Sequence, residues 1–506
     1  MAKLFEYECK QLLRAAGIDV PPGEPARSPG EAQSVTGRLG LPVMVKAQVW
    51  ETDRARRGGV VSAENPEEAE AAAANIFRKF GCDCVLVEAR IQAVRQLFVG
   101  ITIDDRLRRP VLLVSSKGGS GIEQRAASVV RFPLDATKDL PASACAALAR
   151  VVHAPEEFEH FLPRFWAFAR KWEARSLEVN PLAVTSEQRV IALDCRLSID
   201  DYAVFRHPEL GIDIARESAR PATVLDKIAW QVEKDDYRGT FFFIESDRDS
   251  DTDGEPIGFH GCGGGGAMAA LDATRRAGFR AVDFCDTSGS PPASKVYRAA
   301  KIILSLPGIR GYFLCGSGVG SQEQFHLARA LVKAFREDAL DIPAVLRLGG
   351  NGEDFAKQIV ERFSRSCRFP VEAYQKSDSA DSCAQRLRKL IEDKDPAPHV
   401  PSLSASAQDP PGQAYTFETR TGSITYDHSI CVKCETKACV KECVPQILEI
   451  KDQVPVLNIS REEARRGRCI ECLACEVECW YQGIGGASIT LPIAGLEEYR
   501  KTQWPY

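Results

Sequence analysis

The chain has 506 residues, 44% hydrophobic and 27% charged, which suits three or so soluble domains with well-buried cores and excludes disorder throughout. Its formal net charge of -5, with arginines spread along the chain rather than massed in one block, provides no basic field for nucleic acid. No stretch reaches the ~18 consecutive apolar residues of a membrane span.

The opening residues place Leu4, Phe5, Leu12 and Leu13 among charges, which predicts an amphipathic helix without the apolar core of a secretory signal. Strands are expected at PVMVKAQV (42–49), CVLVE (84–88), LFVGITI (97–103), PVLLVSS (110–116) and VIALD (190–194), alternating with helical runs. Residues 1–215 therefore read as a first α/β or α+β domain. Residues 216–254 read as a connection, and its Asp-rich part, from 245 on, has the polarity of a surface loop without the closing Glu of a calcium loop. Residues 255–394 repeat strand, glycine-rich turn and helix, at Gly261 onward, Gly316 onward and Gly349 onward. That order predicts a parallel sheet with ligand-binding turns at the strands' carboxyl ends. Residues 395–422, rich in Pro, Ser, Ala and Gly, read as a linker to a last domain at 423–506.

That last domain holds eight of the chain's 18 cysteines, spaced C-x2-C-x4-C-x3-C at Cys431, Cys434, Cys439 and Cys443, and C-x2-C-x2-C-x3-C at Cys469, Cys472, Cys475 and Cys479. Paired CxxC motifs also suit structural zinc, but four thiols within each short run, with Pro445 close behind Cys443, favour iron-sulfur cubes. By the two-cluster pattern Cys431, Cys434, Cys439 and Cys479 hold one 4Fe-4S cluster, and Cys469, Cys472, Cys475 and Cys443 the other. The domain resembles the two-cluster, bacterial-type ferredoxins, a small α+β fold, with a widened gap before Cys439. Seven cations, among them Lys433, Lys437 and Arg468, put positive charge near the clusters. The other ten cysteines are scattered without framework spacing, which argues for a reducing cytoplasm.

Residues 1–393 resemble the β subunit of succinyl-CoA synthetase. The motifs LFEYECKQLL (4–13), VMVKAQV (43–49), LEVNPL (177–182), ALDCRL (192–197), FRHPEL (205–210), GGAMAALD (265–272), DFCD (283–286), KIILS (301–305) and PAVLRLGGN (343–351) follow that family's order. The resemblance implies an ATP-grasp domain followed by a flavodoxin-like ligase domain. It also implies acyl-CoA formation from a small carboxylic acid, CoA and ATP or GTP through an acyl phosphate and a phosphohistidine.

On this resemblance Lys46 is a phosphate clamp, Glu88 the adenine-hinge carboxylate, Asn180 and Asp194 the Mg2+ ligands, and Glu178 a catalytic neighbour of the phosphohistidine. Four departures stand out. The family's glycine-rich phosphate loop is WETDRARRGG at 50–59, where Arg54 and Arg56 keep positive charge, and its second hinge carboxylate is Gln96. In the ligase domain Cys262 stands where the family has a substrate-contacting asparagine, and Gly318, Val319, Gly320 and Ser321 replace its Gly-Gly-Ile-Val turn, so the acid is expected not to be succinate. Cys262, Cys285 and Cys315, each at a strand end, read more readily as small buried hydrophobes than as nucleophiles. His260 reads as structural, because the family's phosphohistidine lies on its α subunit.

The expected cofactors are therefore two 4Fe-4S clusters, ATP or GTP, and Mg2+, with CoA on an α-like partner subunit. An oxidoreductase or electron carrier is the expected redox partner. Two functions fit: a β-like subunit of an acyl-CoA synthetase with an appended electron relay, or an altered ATP-grasp scaffold that docks and delivers electrons.

Overall fold

The structure, a computed structural model, describes residues 2–40, 42–50, 54–119, 121, 127–212, 220, 222–246, 253–401 and 414–503. Residues 247–252 of the Asp-rich stretch, 402–413 of the expected linker, and 51–53 of the altered loop lie outside that set. The chain divides into two compact units, 1–221 and 222–506.

The first unit is built on two antiparallel sheets. The smaller runs Gly23–Ala26, β2 (Val85–Ala89), β1 (Val43–Ala47), Val60–Ala63. The larger runs Ala2–Lys3, β5 (Cys195–Ile199), β4 (Ala174–Val184), β3 (Arg95–Asp104), Arg109–Ser115, Val130–Pro133, with Val190–Ala192 on the edge of β4. Helix α1 (Glu6–Ala15) turns Glu6, Cys9, Lys10 and Leu13 inward, a stripe at helical spacing that carries two charges. Leu4 is buried just ahead of the helix, while Leu12 is only half-buried. The helix's inward face is thus partly ionic, and an apolar count alone does not find it.

The second unit has a parallel sheet ordered β6 (Phe242–Glu245), β8 (Asp283–Asp286), β7 (Glu255–Cys262), β9 (Tyr312–Gly316), β10 (Ala344–Arg347), β11 (Val371–Tyr374). Only β6 runs antiparallel. Residues 216–254, read as a connection, thus contribute β6 to the sheet and also the helix α2 (Val224–Asp235). That helix is started by a capping box in which Thr223 and Asp226 each accept the other's backbone N–H.

One face of the sheet is covered by α3 (Gly264–Arg276) and α7 (Ala380–Lys394), which close a core around Phe259, Phe313 and Val345. On the other face lie α4 (Ala293–Ile303), α5 (Gln324–Glu337) and α6 (Glu353–Ser364). Helices on both faces of a parallel sheet make this the doubly wound arrangement expected of a flavodoxin-like domain.

The cysteine-rich segment folds as a three-stranded antiparallel sheet of β12 (Ala414–Glu418), β13 (Ser423–Asp427) and β14 (Ala487–Thr490), with helix α8 (Ala474–Gln482). It shares one hydrophobic core with the helices on the second face, running from Phe335 and Phe363 to Tyr426, Val477 and Ile489. A C-terminal helix, α9 (Leu496–Gln503), packs on α2. Among the described residues no helix is long and apolar enough to cross a membrane.

Candidate functional site

In the first unit β1 and β2 pair with Lys46 opposite Leu86 and Met44 opposite Glu88, so Lys46 and Glu88 are diagonal neighbours on one face. Their side chains meet: Lys46 Nζ lies 2.6 Å from Glu88 Oε1 and 3.0 Å from Glu6 Oε1. Lys10 Nζ closes the set at 2.5 Å from Glu88 Oε2 and 2.6 Å from Glu6 Oε1. Both lysines also donate to the Leu193 carbonyl, at 2.6 Å and 2.7 Å. Burial pushes the Glu6 carboxyl up, but Arg54, Lys10 and Lys46 outweigh it and hold it well below the usual carboxylate range.

Arg54 joins this network to the expected metal ligands. Its guanidinium pairs with Glu6, donates to the Ala47 carbonyl at 2.6 Å, and lies 3.0 Å from Asp194 Oδ2. Asp194 follows β4 in the hairpin back to β5, and its carbonyl accepts the Asn180 N–H at 3.2 Å, which brings the two residues side by side. Asn180 Oδ1 accepts the Gly119 N–H at 2.6 Å, and Asn180 Nδ2 donates to Glu178 Oε1 at 3.1 Å. Glu178, opposite Arg196 on β5 and Gly100 on β3, is half-buried.

Of these residues Glu6, Arg54, Glu178 and Asp194 line one cavity of about 460 Å³, with Trp50 and Arg196, whereas Lys10, Lys46, Glu88 and Asn180 lie outside its wall. Among the described residues the Trp50 indole N–H and Arg54 Nε–H, on two of its lining residues, find no hydrogen-bond partner. Two open donors beside a buried guanidinium suit an anion, phosphate or carboxylate, better than a neutral ligand. Arg56 is exposed on the surface. Gln96 lies near the Gly118–Gly119 turn: its carbonyl accepts the Gly118 N–H at 2.8 Å. Glu6 and Lys10 belong to this network although no family motif marks them, and their signal in the sequence is the 6, 9, 10, 13 spacing of the inward stripe.

In the second unit the expected ligand turns follow β7 and β9. A Cβ on Gly266 would stand 2.7 Å from the Ser317 backbone, so the two turns approach as closely as glycine permits. Gly318 has a positive φ of 80°, and a side chain there would meet the Arg347 guanidinium at 2.9 Å. Val319 is 81% exposed at the tip, and Gly320 pairs with Gly350 of the neighbouring turn. Cys262 is buried near the Thr287 hydroxyl at 3.5 Å, and burial pushes its thiol up to about 12, which leaves it protonated at neutral pH. His260 sits between the Tyr312 hydroxyl at 2.6 Å and the Thr287 hydroxyl at 3.0 Å, and burial lowers its pKa to about 3, keeping the ring neutral. Cys285 and Cys315 are buried.

The eight clustered cysteines carry no disulfide. Burial raises several of these thiols and neighbouring thiols raise them further, whereas Cys434 is lowered on balance although burial raises it, through hydrogen bonds from Thr436 and Lys437. Cys431 is pushed up to about 11 by burial, then by Cys479 and Cys434, and Cys439 to about 12 by burial and by Cys479, Cys431 and Cys434. Cys469 rises to about 12 through burial and then through Cys472 and Cys443, and Cys475 rises through burial and through Cys472, Cys469 and Cys443. The structure thus brings Cys479 to the first group and Cys443 to the second.

Cys443, Cys469, Cys472 and Cys475 line one small cavity, whose remaining wall is mostly apolar, with Phe417, Ile424, Leu448 and Ile489 in it. A Cβ on Gly486 would stand 2.8 Å from Cys431 Sγ, so the backbone hugs that thiol. The Tyr426 hydroxyl is buried without an oxygen or nitrogen partner and faces Cys475. Among the described residues no three His, Cys, Asp or Glu close as tightly as around a single ion. Four thiols in each group would suit a four-iron cube, whose thiolates stand wider apart than those around one tetrahedral ion.

Residues 3–184 match the ATP-grasp domain family. The chain is 30% identical over 399 residues to the β subunit of ADP-forming succinate–CoA ligase from Ignicoccus hospitalis, covering 76% of this chain and 98% of that one. It is 32% identical over 371 residues to the corresponding subunit from Rubrobacter xylanophilus, covering 71% and 92%. The GDP-forming enzyme's β subunit from Thermus thermophilus is 30% identical over 369 residues, covering 71% and 93%. Among solved structures, ATP citrate lyase from Methanothrix soehngenii in complex with citrate and coenzyme A is similar with a TM-score of 0.59 at 16% identity, covering 77% of this chain and 99% of that one, a likeness of fold.

Proposed function

The chain belongs to the succinate–CoA ligase β-subunit family, which makes it an acid–thiol ligase polypeptide of the NDP-forming type, and on that premise we propose that it couples nucleotide-dependent thioester chemistry to electron transfer through two 4Fe-4S clusters. The observation that carries the ligase part is the convergence of Arg54, Glu178 and Asp194 on one cavity with open N–H donors. Asn180 and Asp194 would hold Mg2+, which neutralises phosphate charge when bound. Arg54, 3.0 Å from Asp194 and paired with Glu6, would place a second cation against the same phosphate charge. Glu178, fixed by the Asn180 amide, presents a carboxylate to the cavity where an incoming imidazole would need a partner.

CoA and the phosphohistidine would come from an α-like partner subunit, and an oxidoreductase or electron carrier would exchange electrons with the clusters. The clusters supply one-electron transfer, and each set of four thiols holds one of them. Asp194→Ala in the complex purified anaerobically with its partner chains is expected to abolish nucleotide-dependent acyl-CoA formation across a panel of acids while iron content stays the same. Persisting turnover sinks the metal assignment.

A second reading is favoured by Glu88. Both its carboxylate oxygens are taken by lysines, so the adenine-hinge role needs this network to open. In that reading the ATP-grasp fold is a docking platform for electron delivery. Co-purifying chains separate the two: an α-like chain supports the ligase, and flavin or metal oxidoreductases alone support the platform.

A further inference from the structure

The first group of cysteines has a thin cover just past α8. A Cβ on Gly483 would stand 3.3 Å from Cys479 Sγ, and one on Gly486 2.8 Å from Cys431 Sγ, whose thiol also points at the Gly486 carbonyl from 3.7 Å. Between these two glycines Ile484 is 50% exposed and Gly485 is open to solvent. Along 483–486, then, bare backbone lies directly on two thiols of the group while its outer side faces water. Electron transfer weakens with every atom between donor and acceptor, so such a cover is where a docked carrier comes close.

The surface that continues from it is aromatic and basic. Trp480 and Tyr481 follow Cys479 on α8, both half-buried, and each carries a guanidinium from a helix of the parallel-sheet domain. Arg336 of α5 stands 4.2 Å from the Trp480 centroid, and Arg362 of α6 4.0 Å from that of Tyr481. Glu478 balances Arg362 at 3.1 Å. Arg336 is exposed and has no carboxylate partner among the described residues, since the neighbouring Glu337 is taken by Lys333 at 2.6 Å. Arg365 and Arg368, exposed in the turn after α6, likewise have none among those residues. By contrast, two of the exposed cations beside the second group are answered, Arg465 by Glu418 at 3.5 Å and Arg466 by Glu462 at 2.7 Å. Trp, Tyr and Arg are the side chains that anchor interfaces, and stacking fixes the guanidinium before a partner arrives.

We propose that this face, from Ile484 across Trp480 and Tyr481 to Arg336 and Arg362, docks a small electron-carrier protein with an acidic surface, which gives one electron to the cluster held by Cys431, Cys434, Cys439 and Cys479. In that step the carrier's own iron or flavin is oxidised by one electron and the cube is reduced by one, with no proton or leaving group to account for. Unanswered positive charge selects an acidic partner, and such complementarity acts on the association rate and its salt dependence more than on raw affinity. The inference rests on the two-cluster reading and adds to it which cluster meets the carrier and what charge the carrier bears. It also makes two helices of the parallel-sheet domain part of the docking site.

The test uses the full-length protein purified anaerobically, with iron counted, and two redox proteins of opposite surface charge as probes, an acidic 2Fe-2S ferredoxin and basic cytochrome c. Stopped-flow absorbance reads electron transfer from the reduced ferredoxin, and calorimetric titration of the oxidised proteins reads binding without turnover. The ferredoxin is expected to bind wild type, with a bimolecular rate that falls as salt rises. Arg336→Glu is expected to lower that rate about tenfold at low salt and to flatten its salt dependence with iron content unchanged. Arg466→Glu, the same charge change beside the other cysteine group, is expected to leave rate and binding as in wild type. An unchanged rate in Arg336→Glu, equal effects of the two variants, or tighter binding of cytochrome c than of ferredoxin overturns the inference. Should Arg336→Glu lose iron, Arg336→Gln decides: a slower rate supports the face, and an unchanged one overturns it. Self-association of wild type in sedimentation velocity that Arg336→Glu abolishes gives the face to a second copy and overturns the carrier. Iron-loaded wild type that does not bind the ferredoxin at low salt overturns this inference alone, whereas wild type without iron overturns the two-cluster reading and the inference with it.

Discussion

Glu6 shows how a single side chain can organise a site it was not expected to belong to. Its carboxylate is shared by Arg54, Lys10 and Lys46, so removing it leaves three buried cations with only Glu88 and Asp194 to balance them. Breaking one side of a buried charge set costs about 3–5 kcal/mol, and Glu6→Ala is expected to lower the denaturant midpoint of the first unit accordingly. The pH dependence has a definite sign. The folded pKa lies below the unfolded value of about 4.3, so the stability Glu6 contributes is fully present above that pH and is lost as pH falls through the depressed folded value. Near-UV circular dichroism during acid titration reads this, and Glu6→Gln is expected to remove that part of the profile. At the clusters, Cys434→Ser is expected to weaken or lose one of the two, and unchanged iron content would remove Cys434 from the ligand set.

At the scale of elements, α5 carries much of the second unit. Positions 326–335 are all buried, so the helix has no polar face for a periodicity argument to detect. Two of its cations meet carboxylates of α8, Lys333 with Glu476 and Arg329 with Glu478, and Arg362 of α6 reaches Glu478 as well. The C-terminal helix α9 is tied down in the same manner. Arg500 donates to both Asp338 oxygens, at 3.0 Å and 2.9 Å, and to the Ser305 hydroxyl at 2.7 Å. Arg500→Ala is expected to cost about 3 kcal/mol, less than an isolated pair because Lys301 still neutralises Asp338. Amide hydrogen exchange should quicken across 496–503 first, and unchanged exchange there would show that α9 is held by its apolar contacts alone.

Across the whole molecule, the cysteine-rich domain and the parallel sheet are one cooperative body, since they share a core as well as ion pairs. Calorimetry is expected to show one transition for that body, and a separate early transition of the cluster domain would contradict the shared core. The sequence by itself determined the alternation of strands and helices, the glycine turns after β7 and β9, the family, and the two cysteine spacings. All of these are local, written in motifs of no more than 13 residues. Only the tertiary structure decided which charges meet. Lys46 and Glu88 are 42 positions apart, Arg329 and Glu478 149, yet each pair is neighbours across buried surfaces. Burial raises the energy of every unpaired charge, so partners are chosen by the packed fold, and no periodicity along the chain records that choice.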